Sequence, residues 1–209
     1  MSRKEYWNEI YQTNPADEVS WYQRRPELSL ALIANTGSSK NAGIIDVGGG
    51  ASSLIDCLLD AGYRSLAALD ISSVVLSHAR VRLGERATGV EWFEADVTSF
   101  QPSHPFAVWH DRAVFHFLTE FGDRRSYVST LLRTVQPGGH VIIATFALDG
   151  PPKCSGLPVV GYDEAAISAE PALRLCSASH AARCTQRLGR RTSRSFTFDF
   201  NIFRNDCDA

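Results

Sequence analysis

The 209-residue sequence contains no apolar run that approaches the roughly 18 residues needed for a membrane-spanning helix. Residues 1–7 include Arg3 and Lys4, but they lack the apolar core and the small-residue cleavage site of a secretory signal. The formal net charge is only −2, so no global field draws the protein to nucleic acid or to an anionic membrane. We therefore expect a cytoplasmic protein that has neither nucleic acid nor membrane as a partner.

The five cysteines are odd in number and widely spaced, without a C-x-x-C pair. This pattern is typical of reduced thiols, and it predicts neither a disulfide nor a metal site. An Arg-rich stretch at residues 183–194 has no interleaved aromatic residues. It is read as a solvated turn in preference to a phosphate-binding patch.

A glycine-rich turn follows the first apolar run of the chain. Residues 44–47 contain Asp46, and Gly48, Gly49 and Gly50 come next, before apolar residues recur at helical spacing from Leu54. Glycines allow a tight turn and let a ligand lie against the main chain, while the following helix offers free N–H groups. The pattern predicts a nucleotide-like ligand at a strand–helix junction, although such turns also occur without one.

The spacing of the next acidic residues strengthens that prediction. A second apolar strand is predicted at residues 66–70 and ends at Asp70, which follows Gly50 by 20 positions. An acid at this distance can accept hydrogen bonds from both hydroxyls of a ribose. A third strand is predicted at residues 90–97 and contains Asp96. Three successive strands that each close on an Asp are difficult to obtain by chance.

Five motifs stand in order along the chain: residues 46–52, Asp70, Asp96 with Val97, residues 106–112, and the Pro-Gly-Gly turn at residues 137–139. In this order they resemble the class I S-adenosylmethionine-dependent methyltransferases, over about residues 40–148. Ser52 departs from the pattern, because the last glycine of the first motif often stands there. The resemblance implies an α/β fold with a Rossmann-like, doubly wound sheet of seven strands, mostly parallel with an antiparallel last strand.

The resemblance also implies the cofactor, S-adenosyl-L-methionine, and the residues that bind it. Asp70, with Ile71 beside it, matches the acid that binds the ribose, and Asp96 with Val97 matches the pair that holds the adenine. Asp46 and the three glycines form the first motif. In the family the N-terminal region usually closes over the cofactor, and here Trp21 is the residue expected to do so. The alternative is an N-terminal helix that packs on the sheet edge.

We expect a single methyltransferase domain over residues 1–209. Residues 1–40 form a helical and aromatic lid, residues 41–148 the cofactor-binding core, and residues 149–209 the acceptor-side loop and the last strands. The segment at residues 146–158 is rich in proline and glycine and predicts a long irregular loop. Strand six is predicted at residues 172–177. An alternating pattern at residues 196–202 predicts the antiparallel seventh strand.

Three residues, two at the end of the fourth strand and one just beyond it, are candidate catalytic groups. Ligands of doubly wound sheets bind beyond the carboxyl ends of the strands, where His110 and Asp111 are expected. A helix predicted from residue 113 would place His116 on the same face as Arg112. His110 or Asp111 could accept a proton from an acceptor that arrives protonated. The structural alternative is that Asp111 caps the helix and His116 is a buried core histidine.

Residues at the end of the fourth strand indicate the chemical class of the methyl acceptor. The Asn/Asp-Pro-Pro-Tyr motif of enzymes that methylate adenine or glutamine amides is absent. Residues 109–113 and the loop at 150–152 resemble thiopurine methyltransferases and related small-molecule enzymes, while the Asp111-Arg112 pair also occurs in some seven-strand protein-lysine methyltransferases. A small-molecule acceptor is favoured over protein lysine. An NAD(P)-binding oxidoreductase and a catalytically silent cofactor-binding module are the alternatives from other classes.

Overall fold

The structure, a computed structural model, describes residues 1–19, 21–170, 176–187 and 195–205. The strands are β1 (Ile44–Val47), β2 (Leu66–Asp70), β3 (Val90–Glu94), β4 (Phe106–Arg112), β5 (Val135–Phe146), β6 (Lys153–Cys154), β7 (Leu157–Pro158), β8 (Cys176–Arg187) and β9 (Ser195–Asn205). The helices are α1 (Arg3–Thr13), α2 (Glu27–Asn35), α3 (Leu54–Asp60), α4 (Ser73–Leu83), α5 (Phe121–Thr134) and α6 (Glu164–Ala169). Short 3₁₀ turns lie at Gly49–Ala51, Gly84–Gly89 and Phe115–Phe117.

Seven strands form one sheet in the order β3-β2-β1-β4-β5-β9-β8. Strands β1 to β5 pair in parallel, whereas β9 runs antiparallel to β5 and β8 runs antiparallel to β9. This confirms the predicted doubly wound sheet and its antiparallel last strand. The strand order reverses between β1 and β4, which creates the crevice where ligands of such sheets bind.

The central strands are buried on both faces, as expected for a parallel sheet. Every residue of β1 and β2 is buried. Ile45 and Trp109 belong to the core on one face, and Ile44 and Val108 belong to the core on the other. Burial of these side chains fixes the register of β1 against β4, because a slip of one residue would exchange the two faces.

Three sequence predictions differ from the structure near the crevice. Strand β3 ends at Glu94, so Asp96 lies in the following loop and does not close the strand. No helix begins at residue 113: Ala113 has a φ of 76°, a 3₁₀ turn follows, and α5 starts only at Phe121. Arg112 and His116 therefore do not share a helix face. The predicted irregular loop contains the antiparallel hairpin β6–β7.

The last strands differ from their predictions in extent. Strand β9 contains the predicted residues 196–202 and is longer at both ends. Strand β8 begins at Cys176, and residues 172–175 of the predicted strand six lie outside the described residues. Residues 183–187 of the Arg-rich stretch belong to β8, which corrects the prediction of a turn there, and residues 188–194 are not described. Within the described part of the chain, no helix is long and apolar enough to cross a membrane.

Candidate functional site

A cavity of about 1140 Å³, a volume that includes space open to solvent, lies at the carboxyl ends of β1, β2 and β4. Its position is the crevice expected from the strand order. Seven of the nine predicted cofactor residues line it, namely Trp21, Asp46, Gly48, Asp70, Ile71, Asp96 and Val97. Gly49 and Gly50 are buried and lie outside the lining. The structure thus brings together residues that are up to 76 positions apart in the sequence, from Trp21 to Val97.

The glycines of the turn are required by close packing as well as by backbone conformation. Gly48 has a φ of 69°, and its N–H donates to Leu69 O at 2.7 Å. A Cβ on Gly49 would lie 2.7 Å from Asp46 Oδ2, and a Cβ on Gly50 would overlap the side chain of Val75. The turn therefore holds the ends of β1 and β2 and the start of α4 in contact beside the cavity.

Asp70 is held by the main chain around it. Its Oδ1 accepts the Ser72 N–H at 2.9 Å, and its Oδ2 accepts the Gly50 N–H at 3.2 Å. Burial raises the pKa of this carboxyl to about 6, and the two N–H groups oppose that shift. The carboxylate is therefore mostly ionised at neutral pH, and it can accept hydrogen bonds from ligand hydroxyls.

The two carboxylate oxygens of Asp96 differ in how strongly they are hydrogen-bonded. Oδ1 accepts hydrogen bonds from Thr98 N at 2.9 Å and from Thr98 Oγ1 at 2.7 Å. Oδ2 lies 3.5 Å from Nη1 of Arg3. The loop after β3 thus orients Asp96 so that Oδ2 is the oxygen left for a ligand donor.

Asp46 and His110 form a buried pair. His110 Nδ1 lies 2.7 Å from Asp46 Oδ1 and donates to it, since a carboxylate only accepts. Asp46 Oδ2 and His110 Nε2 have no partner among the described residues. A buried carboxylate oxygen without a donor is destabilising unless a ligand supplies one. Because Asp46 lines the cavity, this unpartnered oxygen suits a ligand ammonium group.

The predicted cofactor fits these three carboxylates. An amino group, ribose hydroxyls and an adenine amine are all donors, and Asp46, Asp70 and Asp96 are acceptors spread along one side of the cavity. We call this set the acidic side. The fit rests on the unpartnered Oδ2 of Asp46 and on the buried carboxylate of Asp70, which belongs to the lining.

Asp111 caps the turn that follows β4. Its carboxylate accepts the N–H groups of Val114 at 2.8 Å and Phe115 at 3.1 Å, and the hydroxyl of Tyr127 at 2.7 Å. Trp109 Nε1 in turn donates to the Tyr127 hydroxyl at 2.9 Å. Burial raises the pKa of Asp111 to about 6, with the Tyr127 hydrogen bond opposing the shift.

His116 is enclosed in the core. Its Nδ1 accepts the Phe146 N–H at 3.4 Å, and its ring contacts those of Phe117 and Phe146. Burial lowers the pKa of His116 to about 3, so the ring is neutral at physiological pH. His110, Asp111 and His116 are absent from the described lining of the cavity, and their catalytic role stays a prediction.

Residues 1–40, predicted as a helical and aromatic lid, contribute to the cavity lining. Trp7 and Tyr11 of α1 line the cavity, and so do Arg112 and Cys154. The Trp7 ring contacts the rings of Tyr11, Trp21 and Phe117, at centroid distances of 6.0, 6.2 and 5.2 Å. The aromatic residues of this first helix were the signal for the predicted lid, whereas Arg112 and Cys154 were not among the predicted cofactor residues.

The segment between α1 and α2 is tied to the strand ends. Arg112 Nη1 donates to Trp21 O at 2.9 Å, and Ser53 Oγ donates to Gln23 O at 2.6 Å. The Tyr6 hydroxyl donates to Ser155 O in the β6–β7 hairpin. Side chains of α1 and of this hairpin both line the cavity. We call this wall, formed by Trp7, Tyr11, Trp21, Phe117 and Phe146 with Arg112 and Cys154, the aromatic side.

Known methyltransferases resemble this chain in sequence and in fold. Residues 44–139 match the family described as "Methyltransferase domain". The chain is 28% identical to the eEF1A lysine and N-terminal methyltransferase of Mus musculus over 109 residues, which are 52% of this chain and 15% of that protein. It is 30% identical to the protein of the same name from Danio rerio over 98 residues, 47% of this chain and 14% of that protein. The chain thus spans about a seventh of the length of these relatives.

Solved structures resemble the chain over nearly its whole length. A protein studied for conversion of a disulfide bond into a thioacetal group during echinomycin biosynthesis superposes with a TM-score of 0.74 at 18% identity, covering 100% of this chain and 93% of that one. The N-methyltransferase NodS from Bradyrhizobium japonicum WM9, in complex with S-adenosyl-L-homocysteine, gives 0.62 at 16% identity, covering 94% and 90%. The 1,6-didemethyltoxoflavin-N1-methyltransferase of Burkholderia thailandensis, with bound 1,6-didemethyltoxoflavin and S-adenosylhomocysteine, gives 0.65 at 17% identity, covering 98% and 84%. At these identities the likeness shows a shared fold.

Proposed function

Because this chain belongs to the class I S-adenosylmethionine-dependent methyltransferase family, we propose that it transfers a methyl group from S-adenosyl-L-methionine to a nucleophilic N, O or S atom of a small molecule. The observation that carries the proposal is the acidic side of the cavity, where Asp46, Asp70 and Asp96 lie at or just after the carboxyl ends of three adjacent strands. Asp70 and Ile71 would hold the ribose, Asp96 and Val97 the adenine, and Asp46 the amino group.

The bound cofactor supplies an electrophilic methyl group on a sulfonium. What the protein must add is alignment of the acceptor and exclusion of water, which can together contribute several kcal/mol to lowering the barrier. The rings of Trp7, Tyr11 and Trp21 provide an apolar wall for this purpose.

The roles of His110 and Asp111, predicted as catalytic groups, can be stated more specifically. His110 donates to Asp46, and Asp111 holds the turn that carries Val114 into the cavity wall. We propose that both act as positioning residues, through the groups that they hold. His116, with an unpartnered Nε2 in the described core, supports Phe117 and Phe146 by ring contact.

The charge of the aromatic side favours an uncharged or anionic acceptor. Arg112 is the charged residue of this wall, although the charge of Asp70 also acts on Tyr11. A lysine ammonium placed beside the Arg112 guanidinium would be repelled by it, and such repulsion is costly in an enclosed site. Flat apolar or aromatic molecules gain most from such a wall. Methylation of protein lysine remains the second candidate, because the curated relatives carry that activity in their names.

Calorimetry tests the cofactor first. S-adenosylhomocysteine should bind the purified protein with micromolar affinity, whereas NAD and NADP should not bind. Asp70→Ala should weaken binding by about 1.5 to 3 kcal/mol, as expected for loss of charge-assisted hydrogen bonds. Dinucleotide binding in place of S-adenosylhomocysteine would instead favour an oxidoreductase.

Transfer of a radiolabelled methyl group tests the acceptor. Aromatic thiols, phenols and N-heterocycles should be methylated in preference to a lysine-containing peptide of similar size. Asp70→Ala, assayed with the same acceptors, is the matched control for cofactor-dependent transfer. Preferential labelling of the peptide would support the lysine activity, and cofactor binding with no transfer over the whole panel would favour a silent binding module.

A further inference from the structure

We propose that Arg3, at the start of α1, is a cofactor-binding residue that closes the adenine end of the cavity. This inference rests on the function proposed above, and it assigns to the N-terminal helix a direct contact with the base. The sequence motifs of the nucleotide site all lie after residue 44, so nothing in them points to Arg3.

The position of Arg3 places it at the adenine end. Arg3 lines the main cavity together with Ala95, Asp96 and Val97, the residues of the loop after β3. It also lines a second pocket, which shares Ile71, Ala95 and Asp96 with the main cavity. The guanidinium therefore stands between solvent and the place where Asp96 and Val97 would hold the adenine.

Two carboxylates from different elements hold the Arg3 side chain there. Nη2 pairs with Asp123 in the first turn of α5, and Nη1 lies 3.5 Å from Asp96 Oδ2. Since Oδ1 of Asp96 is committed to Thr98, Oδ2 is the oxygen that Arg3 and an adenine amine would share. A carboxylate oxygen has two lone pairs, so it can accept from both donors at once.

The ion pairs of Arg3 do not by themselves explain why an arginine stands at this position. The Arg3 side chain is 43% exposed, and those of Asp96 and Asp123 are both 30% exposed. Exposed pairs of this kind contribute little to stability. A planar guanidinium, however, stacks on flat aromatic groups, and it does so more favourably when a ligand removes water from it.

Other contacts hold α1 in the position that a contact between Arg3 and the adenine requires. Ser2 and Glu5 form a capping box at the start of the helix, with bonds of 3.2 and 2.8 Å. Further along α1, Asn8 accepts from the Ser72 hydroxyl at 2.7 Å, next to the ribose-binding turn. A base bound against Arg3 would therefore stabilise the docked position of α1, and docked α1 would in turn retain the base.

Calorimetric titration of the full-length chain tests the proposal with two ligands. S-adenosylhomocysteine carries the base, the ribose and the amino acid, whereas 5′-methylthioadenosine lacks the amino acid. Arg3→Ala should weaken both by the same factor, about three- to tenfold, because the lost contact is with the base that they share. Arg3→Lys should behave like Arg3→Ala, since it keeps the charge but loses the planar group.

Arg86→Ala is the matched control. Its side chain is 48% exposed and also lies near two carboxylates, Asp60 at 2.8 Å and Asp56 at 3.9 Å, away from the cavity. Affinity of Arg86→Ala should stay within about twofold of the wild type, as for other exposed pairs. Hydrogen exchange gives a second measure: S-adenosylhomocysteine should protect the amides of α1 in the wild type and in Arg86→Ala, and less so in Arg3→Ala.

The outcomes separate this inference from the function on which it rests. If the wild type fails to bind S-adenosylhomocysteine, the proposed function is itself contradicted. If the wild type binds but Arg3→Ala matches Arg86→Ala, the cofactor site stands and the role of Arg3 is overturned. Recovery of affinity in Arg3→Lys, or a loss with S-adenosylhomocysteine that is not seen with 5′-methylthioadenosine, would also overturn the contact with the base.

Discussion

Asp46 and His110 occupy paired positions on the neighbouring parallel strands β1 and β4, and a hydrogen bond of 2.7 Å joins Asp46 Oδ1 to His110 Nδ1. Both side chains are buried, with 3% and 1% of their surface exposed. The histidine thereby occupies one carboxylate oxygen, and the other has no partner among the described residues. The first and fourth strands are coupled at the point where the sheet order reverses.

Loss of His110 should therefore weaken cofactor binding through Asp46. We expect His110→Ala to reduce the affinity for S-adenosylhomocysteine by about 1 to 2 kcal/mol, because the carboxylate loses a donor and its orientation. His110→Asn, whose amide can replace Nδ1 as the donor, should retain most of the affinity. Calorimetry on both variants checks this. Equal loss in the two would mean that packing of the imidazole, and not its hydrogen bond, supports the site.

Cofactor affinity should depend on pH through Asp70. Burial raises the pKa of this carboxyl to about 6 in the unliganded protein. Ribose hydroxyls donate to the ionised form, so affinity should be constant above about pH 7 and should fall as the pH drops through 6. The loss should approach tenfold per pH unit below that point. Titrations with S-adenosylhomocysteine between pH 5 and pH 8 measure it.

Asp70→Asn is the control for that pH dependence, since it has no proton to gain. Its affinity should be low and should vary little over the same range. If the asparagine variant keeps the wild-type pH profile, another group titrates, and Asp70 is not the residue that the ribose requires in its ionised form.

The Tyr127 hydroxyl should contribute to stability more than an exposed hydroxyl would. It donates to Asp111 and accepts from Trp109, and all three side chains are buried. Tyr127→Phe removes both bonds and leaves the Trp109 N–H without its acceptor. We expect the free energy of unfolding to fall by about 1 to 3 kcal/mol. Urea denaturation measures this, and a change below about 0.5 kcal/mol would contradict a structural role for the network.

The cofactor side of the site could be predicted because its signals are local. Asp46, the glycines and Asp70 belong to one strand–turn–helix–strand unit. Gly50 and Asp70 are 20 positions apart in the sequence, and a hydrogen bond joins the Gly50 N–H to Asp70 Oδ2. Asp96, predicted to bind the adenine, lines the cavity although its strand ends earlier, because loop residues just after a strand lie at the same edge of the sheet.

The remaining part of the site depends on contacts that a sequence pattern does not carry. Whether Asp111 faces the cavity or caps a turn is decided by the positive φ of Ala113, which turns the N–H groups of Val114 and Phe115 towards its carboxylate. Arg3 contacts Asp96 and Asp123, which lie 93 and 120 positions away in the sequence. Periodicity predicts which residues form a helix, but it does not say against what that helix packs.

Gly50 should tolerate no side chain. A Cβ there would overlap Val75 and approach Asp70 Oδ2 at 3.0 Å, so Gly50→Ala must displace either α4 or the ribose carboxylate. We expect a loss of stability of about 1 to 3 kcal/mol, as in other overpacked sites, together with weaker S-adenosylhomocysteine binding. Gly89→Ala is the control, because its Cβ would meet nothing within 4 Å. Thermal unfolding and calorimetry compare the two, and similar results would contradict close packing at the turn.

Trp7 should affect turnover more than cofactor affinity. Its ring joins Tyr11, Trp21 and Phe117 across the aromatic side, where we place the acceptor. Trp7→Ala would open that wall to water and loosen acceptor alignment, so we expect kcat to fall about tenfold or more while the affinity for S-adenosylhomocysteine changes by less than about threefold. Trp7→Phe should restore much of the rate, because a ring still contacts its neighbours.

Trp92, which packs outside the cavity under Arg80, provides the control variant Trp92→Ala. An equal fall in rate for Trp7→Ala and Trp92→Ala would mean that general loss of packing, and not the aromatic wall, limits the reaction.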